Sequence, residues 1–254
     1  MNKNLKKFYF VFFLFCVPKM VIADGLKALE ILKKAQQKLI ANTMYAELEV
    51  TIKRPRWTKT MQLNSWSKGD DYAAVYVASP QKDKGTVYLK TKGEVFNYLP
   101  NIKKTIKLPA ALLNQSWMGT DLSADDLVKL TQVTTDYNAE ITGSQLITGR
   151  ECYEITLIPK PDSDVLWGKL VVYIDKTDFL QLKTVFYDED LAVVNTLTAS
   201  DVRMMNGRKL ATKISLKPAN RMGYQTRVTY RKIEFNRPIP DSFFTKDNIS
   251  NIKP

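Results

Sequence analysis

The chain has 254 residues, is 44% hydrophobic and 25% charged, and carries a net charge of +12, values of a globular protein with a basic balance. It contains no histidine, which excludes imidazole acid–base catalysis, Ser-His-Asp and Cys-His nucleophile systems, and imidazole metal sites. Its cysteines are Cys16 and Cys152 alone, so no disulfide framework holds it and a buried core must.

Lys3, Lys6 and Lys7 precede an unbroken apolar run over 8–17, and Val21, Ile22 and Ala23 stand where a signal peptidase reads. Residues 1–23 therefore read as a secretory signal cleaved between Ala23 and Asp24, with 24–254 as one exported domain. An uncleaved anchor is the competing reading, and Pro18 and Lys19 cut its apolar run short. A lipidated Cys16 is another, opposed by the bulky Phe15 where that processing needs a small residue. Cleavage leaves Cys152 without a partner.

Leu26, Leu29, Leu32, Leu39 and Ile40 recur at helical spacing and predict an amphipathic helix over 24–41. From there the period changes to two. Strands are expected over 45–53, 57–67, 72–77, 86–91, 94–99 and 102–108, with Lys92-Gly93 as one hairpin turn. An irregular interlude spans 109–131, in which Ser123 and Asp126 resemble a capping pair for a short helix ending at Leu130. Strands resume over 137–147, 152–158, 169–174, 182–187, 192–204, 209–217 and 224–235, with Asn206-Gly207 as the clearest hairpin signal. The expected fold is mainly β (α+β): a strongly curved, unclosed antiparallel barrel or half-barrel of about eleven strands, with helices on its concave face.

Two carboxylate pairs offer themselves for chemistry, Glu47 with Glu49 and Asp125 with Asp126. The first reads as a solvated strand face and the second as acidic residues at a helix start. There is no glycine-rich phosphate loop, Cys-x-x-Cys or acidic calcium loop. No enzymatic role, catalytic residue, cofactor or metal is expected. Several strands, 72–77 and 182–187 among them, are apolar on both faces, as in a sheet wrapped around helices or a ligand. A membrane-spanning barrel also alternates, but the leading helix and the lysines and arginines on both strand faces oppose it.

The run FNYLP at 96–100 with Lys103 and Lys104, the block WMGTDLSADDL at 117–127, WGKLVVYID at 167–175 followed by 180–187, and IEFNRPIPDSFFT at 233–245 carry a resemblance. In the same order they resemble the LolA-like outer-membrane lipoprotein-sorting family, in its longer and mostly uncharacterised branch. The resemblance implies an unclosed, bent antiparallel sheet whose cavity, in LolA itself, carries lipoprotein acyl chains across the periplasm. It places no functional residue on this sequence.

The expected function is a periplasmic carrier that holds lipid or lipoprotein acyl chains in an apolar cavity and hands them on towards the outer membrane. Its expected partners are lipid or acylated protein cargo and a membrane-bound donor or acceptor complex; nucleic acid is not expected, and the carrier is expected to be a monomer. The alternative is a periplasmic sensor of the same fold that recognises a membrane-protein segment without moving cargo. Candidate cavity walls are Met61, Leu63, Trp66, Tyr88, Phe96 and Tyr98, with Trp117 and Met118 near a helical lid. Each is as readily ordinary core. Arg54, Arg56, Lys59, Lys103, Lys104 and Lys107 are candidates to meet anionic headgroups or an acidic partner, or else form a solvated basic face.

Overall fold

The computed structural model describes residues 20–254 except 110, 111, 113, 114, 122–135, 162 and 164. The leader reading, Cys16, Asp125, Asp126 and the Ser123 cap lie outside the described residues. A helix, α1 (Met20–Gln37), is followed by β1 (Thr43–Arg54), β2 (Trp57–Lys68), β3 (Tyr72–Ser79), β4 (Val87–Thr91), β5 (Glu94–Leu99) and β6 (Lys104–Leu108). A second series comprises β7 (Tyr137–Ile147), β8 (Arg150–Pro159), β9 (Lys169–Asp175), β10 (Gln181–Tyr187), β11 (Val193–Met205), β12 (Arg208–Pro218) and β13 (Gln225–Phe235).

All thirteen strands form one antiparallel sheet, in the order β6-β5-β4-β3-β2-β1-β13-β12-β11-β10-β9-β8-β7. Each stretch of alternation makes a strand. Every range expected as a strand, the short β4, β5 and β6 included, pairs as a separate member of the meander, so the sheet has thirteen strands rather than about eleven. Edges β6 and β7 do not meet, so the sheet stays unclosed. Register shifts in the β1–β13, β2–β3, β7–β8 and β9–β10 pairs bend the strands and curve it. Lys92-Gly93 and Asn206-Gly207 both take positive φ at their two positions, as the tight hairpins require.

Cross-strand pairing defines two faces. One row runs Ile52–Thr226–Leu216–Leu197–Thr184–Val172–Ile155–Ile141, from β1 to β7. Helix α1 packs on this face at one end, with Ala28, Ile31, Leu32 and Ala35 against Tyr137, Ala139, Ile155, Leu157, Leu170, Val172 and Ile174. Those four helix positions recur at three- and four-residue steps and make the buried stripe. The helix stops at Gln37 rather than reaching 41, and Leu39 and Ile40, expected in the core, are 41% and 50% exposed. Arg208 of β12 explains the stop. Its Nη1 donates to the carbonyls of Lys38 (3.2 Å) and Ile40 (2.7 Å), holding the chain that leaves the helix.

Among the described residues α1 is the one α-helix of any length, so the expected set of helices over the concave side is only partly matched. The opposite face carries a cover that the sequence did not announce. Residues 236–254 cross β1–β5 as a strap with two 3-10 turns, Asp241–Phe244 and Ile249–Asn251. The strap buries Ile239, Phe244, Ile249 and Ile252 against Tyr45, Trp66, Ala74, Val87, Leu89 and Phe96. Trp66 and Phe243 rings lie 5.3 Å apart, and Tyr72 and Phe244 rings 5.6 Å apart.

The carboxylates of β1 lie on that same face, held by neighbours rather than poised for chemistry. Glu47 accepts a hydrogen bond from the Tyr45 hydroxyl at 3.1 Å, and Glu49 pairs with Arg231 at 2.8 Å.

Cys152 on β8 is fully buried among Val171, Tyr173, Leu180 and Leu182, and burial pushes its thiol up from the ordinary range. A buried, protonated thiol is inert. Under native conditions a maleimide should leave Cys152 unlabelled, and labelling should become stoichiometric in urea. Cys152→Ser should lower stability by about 1–3 kcal/mol, because its hydroxyl needs a stronger partner than the 3.4 Å contact to the Arg150 carbonyl. Rapid native labelling would contradict this.

Candidate functional site

The chain passes from edge β6 to edge β7 through residues 109–136, and the described middle of that crossing, 115–121, lies on the α1 face. There β1 supplies Leu48, Val50 and Ile52, β2 Met61 and Leu63, β3 Val75 and Val77, β4 Tyr88, and β13 Val228. Alternation on five neighbouring strands turns these side chains to one side and makes an apolar floor. Trp117 closes over it, buried, with its ring edge-on to Tyr88 at 5.5 Å. Burial, then the charge of Asp83, pushes the Tyr88 phenol up, so it stays neutral.

Trp117–Gly119 form a 3-10 turn in which Met118 and Gly119 both have positive φ, 51° and 83°. Glycine takes that conformation freely, whereas Met118 holds it at a cost of about 1–3 kcal/mol. The turn is tied within itself by Thr120 Oγ1 to the Trp117 carbonyl (2.7 Å) and Ser116 Oγ to the Thr120 carbonyl (2.6 Å).

A buried ion pair fastens this turn to the sheet. Arg54 Nη1 meets Asp121 Oδ2 at 3.0 Å, and the two side chains are only 8% and 5% exposed. Arg54 Nη2 donates to the Gly119 carbonyl at 2.6 Å, and its guanidinium lies 4.8 Å from the Tyr224 ring centre. Thr226 of β13 donates its hydroxyl to Asp121 Oδ2 at 2.7 Å, and accepts from the Asp121 backbone N–H at 2.9 Å. Arg54, Asp121 and Thr226 thus join three distant parts of the chain in one satisfied polar knot inside an apolar surround.

Of the expected cavity residues, Met61, Leu63, Tyr88, Trp117 and Met118 come together here. Trp66, Phe96 and Tyr98 do not. They lie on the opposite face beneath the strap, as the β2–β3, β3–β4 and β4–β5 registers require. The expected basic surface also divides. Arg54 is the buried clasp just described, and Lys59 pairs with Asp83 at 2.9 Å. Arg56 is exposed at the β1–β2 turn, while Lys103, Lys104 and Lys107 are exposed along edge β6, where Lys107 pairs with Glu94.

Sequence reading missed Asp121 and Thr226, and the one available signal was Arg54 itself. Alternation places it on the face of Ile52, where a charge needs a buried partner. It also missed a strip between the clasp and α1. Leu197, Ile214, Val228 and Tyr230 belong to the α1 face of β11, β12 and β13 and are half-buried. Burial pushes the Tyr230 phenol up. Among the described residues no three His, Cys, Asp or Glu side chains converge as metal ligands. No described helix is long and apolar enough to cross a membrane.

Removing one partner of the clasp leaves the other charge buried and unpaired. Arg54→Met and Asp121→Leu should each destabilise by about 3–5 kcal/mol, and Thr226→Val by about 1–3 kcal/mol, measured by urea unfolding. The double variant Arg54→Met/Asp121→Leu should recover much of the loss. Full additivity of the two single losses would show that the pair is not coupled.

A protein-family model described as an uncharacterized protein matches residues 69–251. No curated protein matches the chain. Among solved structures, a DUF1329 family protein from Desulfovibrio piger is 20% identical, with a TM-score of 0.79 over 89% of this chain and 99% of its own. A domain described as an outer membrane lipoprotein-sorting protein, from Vibrio parahaemolyticus, is 20% identical, with a TM-score of 0.76 over 89% of this chain and 99% of its own. A LolA superfamily protein from Nitrosomonas europaea is 21% identical, with a TM-score of 0.70 over 87% of this chain and 98% of its own. The chain belongs to the family of uncharacterized proteins that this model describes, and its fold is that of the LolA-like lipoprotein-sorting proteins.

Proposed function

We propose that the protein is a periplasmic carrier that receives lipid or acylated protein cargo on the α1 face of its sheet and passes it on towards the outer membrane. The fold it shares with lipoprotein-sorting proteins supports a carrier or binding role in general. One observation carries the finer reading. The α1 face is largely apolar from β1 to β7 and covered at both ends by α1 and Trp117, yet its middle strip of Leu197, Ile214 and Tyr230 is only half-buried.

An acyl chain laid along that strip would gain about 0.8 kcal/mol for each methylene removed from water. A dozen methylenes give ample gross energy, and losses of translational and chain freedom bring the net into a reversible range. Binding of this kind needs no chemistry, only apolar area and a way in.

A fluorescent fatty-acid probe should therefore bind the purified protein and be displaced by acylated cargo. Ile214→Trp, which fills the strip from a half-buried position, should weaken the probe at least fivefold while the melting temperature moves by only a few degrees. Replacing Lys103, Lys104 and Lys107 by glutamine should leave probe binding unchanged and reduce the salt dependence of cargo handover. Mass spectrometry of an organic extract should find co-purified lipid. No lipid and no probe uptake, with a single membrane-protein segment captured instead, would replace the carrier by a sensor of the same fold.

Localisation rests on the leader. N-terminal sequencing of periplasmic material should begin at or within a few residues of Asp24, which removes the first turn of α1 and keeps the buried Ala28, Ile31, Leu32 and Ala35. Lipid-modified protein starting at Cys16 would reverse the assignment.

A further inference from the structure

The strap covers the face opposite α1 only over β1–β5. Towards the β1–β2 turn and on across β13 to β11, the strap does not reach that face, which is rich in cations and hydroxyls and runs on to the lysine-covered tyrosines of β9 and β10. One cross-strand row reads Thr60–Thr51–Arg227–Ser215–Thr198–Lys183–Tyr173. Beside it run Thr58–Lys53–Gln225 and Lys217–Thr196–Val185. These rows hold no carboxylate until Glu154 on β8, opposite Tyr173.

Lys53, Arg227 and Lys217 are exposed, and none forms an ion pair among the described residues. Nearby cations of the same face differ: Lys213 is neutralised by Asp201 at 3.0 Å and Arg231 by Glu49 at 2.8 Å. Lys183 and Lys169 extend the positive field towards β9, each lying over a tyrosine ring, Tyr173 at 4.9 Å and Tyr187 at 4.0 Å. Between the cations stand threonine and serine hydroxyls, which donate to phosphate oxygens without adding charge. From β1 to β9 the field spans five strand spacings, roughly 24 Å. It is an extended strand surface, and its rows present no large exposed apolar side chain.

We propose that this face docks the protein on an anionic phospholipid bilayer, by charge alone and without insertion. Such a surface matches a plane of phosphate headgroups better than a single small anion. Unpaired lysine and arginine next to such a surface hold by counter-charge and release with salt. The acyl-binding strip lies on the other face of the same sheet, so docking leaves it uncovered. The inference does not depend on the carrier reading.

The test is co-sedimentation of the purified protein with vesicles of phosphatidylcholine alone or of phosphatidylcholine with phosphatidylglycerol. Binding is expected only to the anionic vesicles, at low salt, and should reverse as salt is added. Removing a membrane-facing cation weakens partitioning about fivefold. Lys53→Gln/Lys217→Gln/Arg227→Gln should therefore lose about a hundredfold, with an unchanged melting temperature because all three residues are exposed. A control of equal charge change at exposed sites elsewhere, Lys33→Gln/Lys82→Gln/Lys92→Gln, should stay within threefold of the parent. Ile214→Trp should bind vesicles normally, which separates docking from acyl uptake. Failure of the parent protein to bind anionic vesicles, or an equal loss in the control triple, would overturn the proposal.

Discussion

A single sheet of thirteen strands has two faces and no second sheet to hide either, and the rest of the structure follows from that constraint. Apolar side chains on both faces of β1–β5 demand two covers made from chain that is not strand. The Trp117 turn covers one and the C-terminal strap the other. At the far end α1 covers β7–β9 on the Trp117 side, while the opposite side closes over itself, lysine stems lying across Tyr173 and Tyr187. The two meanders, β1–β6 and β7–β13, join only where β1 pairs with β13. The Arg54–Asp121–Thr226 knot sits at that seam, with Arg54 on β1, Thr226 on β13 and Asp121 on the segment that crosses between the outer edges. It therefore fixes the crossing chain at the point where the two halves of the sheet are held together.

The strands were legible because their signal is local. Alternation of period two in 45–53 or 209–217 and the Asn206-Gly207 turn depend on neighbours in the chain, and β1, β12 and the hairpin formed where expected. Which apolar residues share a wall was harder to read. In β3 both faces are apolar, so composition alone does not show that Ala74 meets the strap while Val77 meets Trp117. The strap left no periodic trace, since Ile239, Phe243, Phe244, Ile249 and Ile252 are spaced irregularly among prolines, aspartates and asparagines. The partner of Arg54 lies 67 residues away, beyond the reach of any local pattern. What local physics dictates was readable, and what tertiary pairing dictates was not.

Both sheet edges are exposed, and each is guarded differently. Edge β6 is short and carries Lys104 and Lys107, whose charges oppose the addition of a further strand. Edge β7 is longer, but its register shift between Ile141 and Gly143 interrupts any template for pairing. These features account for lysines on β6 without assigning them a ligand. The unpaired cations of the open face have no such explanation, because Lys53, Arg227 and Lys217 lie on interior strands, away from both edges of the sheet.

Release sets a harder condition on a carrier than binding does. If the whole α1 face were as well covered as its two ends, opening it would expose the clusters beneath both α1 and Trp117 at once. The covers instead stand on separate supports, α1 on β7–β9 and the Trp117 turn on its buried ion pair. On the proposed reading, the strip between them gains or loses a ligand while both ends keep their packing. A site of this form keeps the energy of folding apart from the energy of binding. On the proposed carrier reading, its affinity would be set by the length of acyl chain that fits the strip, at about 0.8 kcal/mol per methylene, and not by the stability of the covers.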